Sequence, residues 1–182
     1  MKIAGDLGVS RGSVREALLI LESRHLIEII PRRGAVVNGL EAGEITNFCE
    51  LYTDLLTSFF GKLACERGAN YSQLRNATEE IGRAVEEQDL ETLLGACQAF
   101  MDSGFPLVND FYLASVLRGL NPAGLRLAHM AACHSDYDMR DTLRYHHALL
   151  DAIERHDEAR VHELVGAYGR RQGHLAIRSL TG

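Results

Sequence analysis

Apolar residues recur along most of this chain at three- and four-residue spacing, the period of an amphipathic helix. Over residues 42–67, Ile45, Phe48, Leu51, Tyr52, Leu55, Leu56, Phe59, Phe60 and Leu63 keep that register. Leu74, Ala77, Ile81 and Val85 continue it over 72–87, with Ser72 as the expected N-cap. Leu90, Leu93, Leu94, Cys97, Phe100 and Met101 carry it over 89–103, in a helix opened by Asp89. Pro106 is expected to begin a fourth helix, ending near Asn121-Pro122. Three more are expected over about 123–137, 141–156 and 157–179. Asp157 caps the last, because its carboxylate can accept from free backbone N–H groups of the first turn.

The first 40 residues follow a different pattern. Helical periodicity is broken at Gly8, and Val14, Leu18, Leu21 and Leu26 supply an apolar stripe, with Ala17 at its margin. The next stretch, "LIEIIPRRGAVVN" at 26–38, is rich in β-branched residues and split by Pro-Arg-Arg-Gly. That is the signature of two short strands joined by a basic turn. The fold class expected is mainly α, with a small mixed head over 1–40 and an all-helical antiparallel bundle over 41–182. No repeat of fixed period and no low-complexity segment interrupts this division.

Composition narrows the classes. At 182 residues, 46% hydrophobic and 24% charged, the chain can bury a core. No apolar run approaches the roughly 18 residues needed to cross a bilayer. No secretory signal pattern opens it, so no membrane partner and a cytoplasmic setting are expected. Cys49, Cys65, Cys97 and Cys133 form no CxxC pair and are expected as small apolar core residues. The net charge is -6, yet residues 1–40 hold six Lys/Arg against four Asp/Glu, leaving +2 on the head and -8 on the rest. A basic head on an acidic body suits contact with phosphate at one end only.

The head can be taken mechanically. A helix ends at Leu7, and Gly8 can adopt the left-handed conformation of a tight turn. Ser10 caps the next helix, which places Arg11, Gly12, Ser13 and Arg15 in its first turns. Those turns of a recognition helix reach base edges and phosphates. Arginine grips a guanine edge or a phosphate through two N–H groups, serine offers a short hydroxyl, and glycine permits close backbone approach. Arg32, Arg33 and Gly34 would form a wing beside the helix. "GVSRG" also matches the letters of the GxSxG hydrolase elbow. That elbow needs a buried strand before the serine, and only a seven-residue helical segment precedes it here. With no HExxH and no P-loop either, an enzyme is not expected.

"LGVSRGSVREALLILESRHLIEIIPRRGAVV" resembles the winged helix-turn-helix of the GntR transcriptional regulators. The shared pattern is LGVSR-x-x-VREAL, a leucine-rich helix, L-[IV]-E, and a wing ending in RG-x-x-V. The resemblance implies DNA contacts from Arg11 and Arg15, support from Ser10 and Ser13, and wing contacts around Arg33 and Gly34. Gly12 stands where family members often carry Thr or a bulkier residue. The family's module begins earlier, and Met1 falls where an arginine of its second helix would stand. The head is therefore expected to be partial, with the apolar face of residues 3–21 lacking its usual cover. A longer native chain, or weak DNA binding, is the corresponding expectation.

Residues of about 42–179 resemble the helical effector domain, called FCD, of the FadR-type branch of that family. "YHHALLDAIERHDEARVHELVGAYG" carries the resemblance. Many members bind a divalent metal through an Asp, a His four residues on, and one His on each of the last two helices. Those positions fall here on Cys97, Met101, His146 and Tyr168, so only the histidine at 146 is kept. An arginine frequent in the first helix of the body falls at about Leu55. No metal and no cofactor is expected, and the cavity should be less polar than in metal-binding members. A soft metal on Cys97, Met101 and His146 stays open as a minor alternative. His25, His129, His134, His147, His156, His162 and His174 form no convincing ligand set.

In "YGRRQGH", Gly169 and Gly173 lie four apart inside an expected helix, where each costs about 1 kcal/mol relative to Ala. Close approach of a neighbouring helix or ligand is the physical reason expected. Members that respond to fatty-acyl-CoA also lack the metal set and have a similar Tyr-Gly-x-x-x-Gly segment. Tyr168, Gly169 and Gly173 match it. The resemblance thus implies a ligand-responsive regulator, a homodimer on a palindromic double-stranded DNA operator. Its effector-binding residues would be Leu55, Cys97, Met101, His146, Tyr168, Gly169 and Gly173. An acyl or other apolar-tailed anionic metabolite is the effector expected, with Arg170 and Arg171 either meeting its headgroup or standing as solvated charges. The alternative is a helical ligand-binding or interaction module that has lost DNA binding through truncation.

Overall fold

The computed structural model describes residues 2–24 and 26–180. Met1 and His25, both invoked above, lie outside the described residues. The chain divides into two compact units, Met1–Glu41 and Ala42–Gly182.

In the first unit, α1 (Lys2–Asp6) and α2 (Arg11–Ser23) precede an antiparallel hairpin of β1 (Ile27–Ile30) and β2 (Gly34–Val37). Gly8 takes a φ of +64°, which lets the chain reverse between the helices at no Cβ cost. Ser10 then caps α2, its Oγ accepting from the Ser13 N–H at 3.0 Å. Ile27 pairs with Val37 and Ile30 with Gly34, so Pro31, Arg32 and Arg33 form the connecting turn. That turn is closed by the Arg33 N–H donating to the Ile30 carbonyl at 3.1 Å. Arg32 has a φ of +67° and Gly34 of +99°, left-handed positions that a tight reversal requires. Glu22 ties helix to hairpin by accepting from the Ile29 N–H at 2.9 Å. Val14 is buried, whereas Leu18, Leu21 and Leu26 are half-buried. Ile3, Leu7, Val9, Leu19 and Ile20 are exposed.

The second unit contains, among the described residues, α3 (Ala42–Cys65), α4 (Ser72–Glu87), α5 (Leu90–Gly104), α6 (Phe111–Ala132), α7 (Met139–Glu154) and α8 (Glu158–Arg178). Helix α8 packs on α3, α6 and α7, while α4 packs on α5 and α7. Along the α3–α8 seam Cys65 meets Glu158, Gly61 faces His162, Gly169 faces Thr53, and Gly173 faces Cys49. Numbers rise on one helix as they fall on the other, so the two run antiparallel. Phe59, Leu63, Phe100, Leu117, Leu149, Ile153 and Val161 form the centre of the core.

Local chemistry explains most of the boundaries. Asp89, Asp110, Asp138 and Asp157 each accept a backbone N–H from the first turn of α5, α6, α7 and α8. Four expectations are corrected. Ser72 is the first residue of α4 rather than its cap, and the Asn70 Oδ1 accepts its N–H at 3.0 Å. The fourth helix begins at Phe111 and not at Pro106, because Asp110 supplies the cap. Pro122 does not end it: α6 is continuous through that residue. An interior proline costs about 3 kcal/mol, but Leu117 and Leu127, on either side of it, are both buried in the body. Finally, Cys65 and Cys133 are exposed and Cys49 and Cys97 only partly buried, so the cysteines are not uniformly core residues.

Candidate nucleic-acid interface and ligand cavity

Arg11, Gly12, Ser13 and Arg15 are all exposed on the first turns of α2. The Ser10 and Ser13 hydroxyls lie 2.9 Å apart, so the cap is doubly tied. At this end of the helix the free N–H groups and the macrodipole favour an anion. Arg32, Arg33 and Gly34 are exposed on the hairpin turn of the same unit. Among the described residues no carboxylate pairs with Arg11, Arg15, Arg32 or Arg33. Four guanidinium groups are thus left to solvent or to phosphate. Ser10 follows α1 and a turn, not a strand, so the nucleophile-elbow geometry is absent there.

In the body, a cavity of about 150 Å³ lies among α3, α5, α6, α7 and α8. Cys97 and Met101 reach it from α5, His146 from α7 and Tyr168 from α8. These four positions, far apart in sequence, are brought together. Tyr137, Thr142, Tyr145, Phe100, Leu56 and Gln172 complete much of the wall. None of those six was expected at the site, and the sequence marked Leu56 and Phe100 only as members of apolar helical stripes. Thr142 precedes His146 by one helical turn and so shares its face, a signal that spacing alone could have given.

His146 is 6% exposed. Its Nδ1 lies 2.8 Å from the Thr142 carbonyl, which can only accept, so Nδ1 carries the proton and Nε2 is an unprotonated acceptor. Burial pushes the imidazole down to about 4, against the smaller raising effect of the Thr142 carbonyl. The ring sits edge-on to Phe100 and Tyr145, at centroid distances of 5.1 and 4.9 Å. Tyr145 and Tyr168 stack face to face at 3.9 Å. The Thr142 hydroxyl lies 3.0 Å from both the Tyr137 and the Tyr168 hydroxyls. Burial pushes the Cys97 thiol up to about 12 and holds both stacked tyrosines protonated, well above the usual phenol range.

Leu55, Gly169 and Gly173 are not on this cavity. The two glycines line a separate groove of about 500 Å³ between α3 and α8, with Thr46, Cys49, Thr53, Arg170 and His174. A methyl on Gly169 would overlap Thr53 Oγ1, and one on Gly173 would lie 3.1 Å from Cys49 Sγ. The close approach expected at these positions is therefore made by α3. Arg171 pairs with Asp141 and does not reach the cavity.

The cavity residues do not fit a divalent cation. Among the described residues no three His, Cys, Asp or Glu side chains converge. Cys97 is held as a thiol, Met101 Sδ is met by the Tyr52 hydroxyl at 3.8 Å, and the Tyr168 oxygen is engaged with Thr142. One imidazole nitrogen is left, too few for a tetrahedral or octahedral site. No described helix is long and apolar enough to cross a membrane.

Comparison with known proteins agrees with both halves. The FCD domain family matches residues 52–170, and the bacterial regulatory proteins of the gntR family match residues 1–37. An uncharacterized HTH-type transcriptional regulator of Agrobacterium vitis is 29% identical over 107 residues, 57% of this chain and 63% of the relative. A "Probable D-xylose utilization operon transcriptional repressor" of Paenarthrobacter nicotinovorans is 28% identical over 159 residues, 86% of this chain and 69% of that protein. The chain thus spans about two thirds of the length of these relatives. Among solved structures, Escherichia coli McbR/YncC superposes with a TM-score of 0.85 at 18% identity, covering 98% of this chain and 85% of its own. A GntR transcriptional regulator of Rhodococcus sp. RHA1 gives 0.76 at 20% identity, covering 100% and 85%. At these identities the likeness is one of fold.

Proposed function

This chain belongs to the FCD-domain branch of the GntR family of bacterial regulatory proteins, and we propose that it is a transcriptional regulator whose DNA affinity is set by a small molecule in the body. The observation that carries this reading is the pairing, in one polypeptide, of two compact units. One is a serine-capped helix with Arg11 and Arg15 free on its first turns, beside a hairpin that exposes Arg32 and Arg33. The other is a helical body holding an apolar cavity. The first suits phosphate and base contact. The second suits a ligand that carries little charge.

The protein acts as a homodimer on a palindromic operator in this reading, each head taking one half-site. The effector works by binding one arrangement of the dimer better than another, since only differential affinity moves such an equilibrium. No catalytic step is assigned, and Ser10-dependent turnover of a generic chromogenic ester is expected to be nil.

Fluorescence anisotropy with a promoter-proximal palindrome tests the reading. Affinity should fall steeply with salt while preference for the palindrome over scrambled duplex persists. If all eight arginines of a dimer meet phosphate, log K falls against log salt with a slope of at most about -7. Replacing Arg15 by Ala should weaken binding by roughly 1–3 kcal/mol if it reads a base, and lower the salt slope if it meets only phosphate. Equal affinity for palindromic and scrambled duplex at every salt concentration sinks the proposal and favours a helical module that does not read DNA.

A further inference from the structure

We propose that the cavity takes a compact, uncharged, ring-sized molecule that carries a hydroxyl group. The proposal rests on the reading of this cavity as the effector site and narrows the chemistry of its ligand.

Charge is the first discriminator. Among the described residues, no Lys, Arg, Asp or Glu lines the cavity. Arg144 and Arg171 lie in a separate surface dent that shares only Tyr145 and Tyr168 with it, and both are paired with Asp141. Arg170 faces the α3–α8 groove. His146 is uncharged at neutral pH, because burial lowers its basicity. A carboxylate or phosphate drawn into this space would lose its hydration and meet no counter-charge, a cost of several kcal/mol or more. The anionic headgroup expected from the sequence therefore has no cation on this wall.

Hydrogen-bond accounting gives the second. His146 Nδ1 is spent on the Thr142 carbonyl. Its Nε2 has no partner among the described residues. Yet among the described residues no fully buried side-chain nitrogen or oxygen lacks a partner. Nε2 therefore keeps accessible surface, and because His146 is 6% exposed and lines the cavity, we place that surface in the cavity. It offers one acceptor. The Tyr137, Thr142 and Tyr168 hydroxyls hold three protons but make two hydrogen bonds to one another. Whichever way those bonds run, one hydroxyl proton is left over. The wall thus presents a spare acceptor and a spare donor. An O–H group can use both, donating to one and accepting from the other. An apolar ring alone uses neither.

Size is the third. A space of about 150 Å³ matches an apolar cavity that accepts benzene. Phe100 and Tyr145 place aromatic rings on the wall, and aromatic pairs favour edge-to-face or offset contact. Phenol is the simplest probe that meets all three conditions. Benzene lacks the hydroxyl, and benzoate adds the charge.

The experiment follows thermal unfolding of the protein at pH 7 with each of the three compounds, and ¹⁵N spectra of its histidine rings. Phenol should raise the midpoint by roughly 3 °C at ten times its dissociation constant. Benzene should give a smaller rise at equal concentration, and benzoate none. The His146 Nε2 resonance should move with phenol and stay put with benzene. His146→Leu should reduce the phenol response toward that of benzene. If that variant does not fold, the nitrogen shift in the unaltered protein decides. A benzoate response equal to that of phenol, a benzene response equal to that of phenol, an unmoved Nε2 resonance, or no response to any ring compound overturns the proposal. These readouts need no DNA, so they can fail while operator binding stands, or hold while operator binding fails.

Discussion

His146 is where the character of the body is set. Its ordinary basicity near 6.5 is pushed down to about 4 by burial, with His147 adding a small repulsion. The unfolded chain therefore takes up a proton between those values that the folded chain refuses. Stability unaffected above pH 6.5 is lost as pH falls toward 4, by about 2 kcal/mol at pH 5. Urea unfolding at pH 7.5 and pH 5 should register this loss, and His146→Gln should remove most of it. An equal loss in that variant would place the cause elsewhere. Cys97 belongs to the same environment. Its thiol, pushed up to about 12, should resist a thiol reagent in the native protein. Cys133 is exposed and should react without unfolding. Labelling of Cys97 as fast as Cys133 would show that the Cys97 thiol is not shielded.

At the scale of elements, the α3–α8 seam has glycine at close approaches from both helices, Gly61 on α3 and Gly169 and Gly173 on α8. Adding a methyl at Gly169 drives it into Thr53, and overpacking of this kind costs about 1–3 kcal/mol. Alanine regains about 1 kcal/mol of helix propensity, so Gly169→Ala should lower stability by about 0–2 kcal/mol net, and Thr53→Ala in the same chain should restore much of the overpacking loss. Additive losses in the double variant would mean that the two residues do not share the space. The sequence made the need for small residues legible, since two glycines four apart weaken a helix for no local gain. It could not say whether a helix or a ligand filled the gap, because the occupant lies more than a hundred residues away. The helix starts at Asp89 and Asp157 were legible for the opposite reason: a cap is a local bond. Pro122 misled because its cost is local, whereas what outweighs it, the burial of Leu117 and Leu127, is tertiary. In the cavity, Cys97, Met101, His146 and Tyr168 could be gathered from the resemblance to a family pattern. The Tyr137–Thr142–Tyr168 hydroxyl chain could not, since it joins a loop to two helices with no shared period.

Over the whole molecule, the two units differ sharply in how much they bury. Among the described residues, the buried hydrophobics of the first unit are Ala4, Val14 and Ile27, two of them small. The second has a continuous core running from Phe59 to Val165. Burial of apolar surface supplies most of the favourable free energy of folding, so the head should open well below the global unfolding free energy. Native-state amide exchange is the direct measurement. Amides of α2 and β1 should exchange through low-energy openings, while those of α3 and α8 exchange only on full unfolding. The two halves should then answer to different ligands, because anything that binds only the folded form of a unit stabilises that unit. Operator duplex should slow exchange in α2 and the hairpin, and phenol should slow it in α5, α7 and α8. Exchange from the head as slow as from the body, without DNA present, would show that the chain unfolds as one cooperative unit.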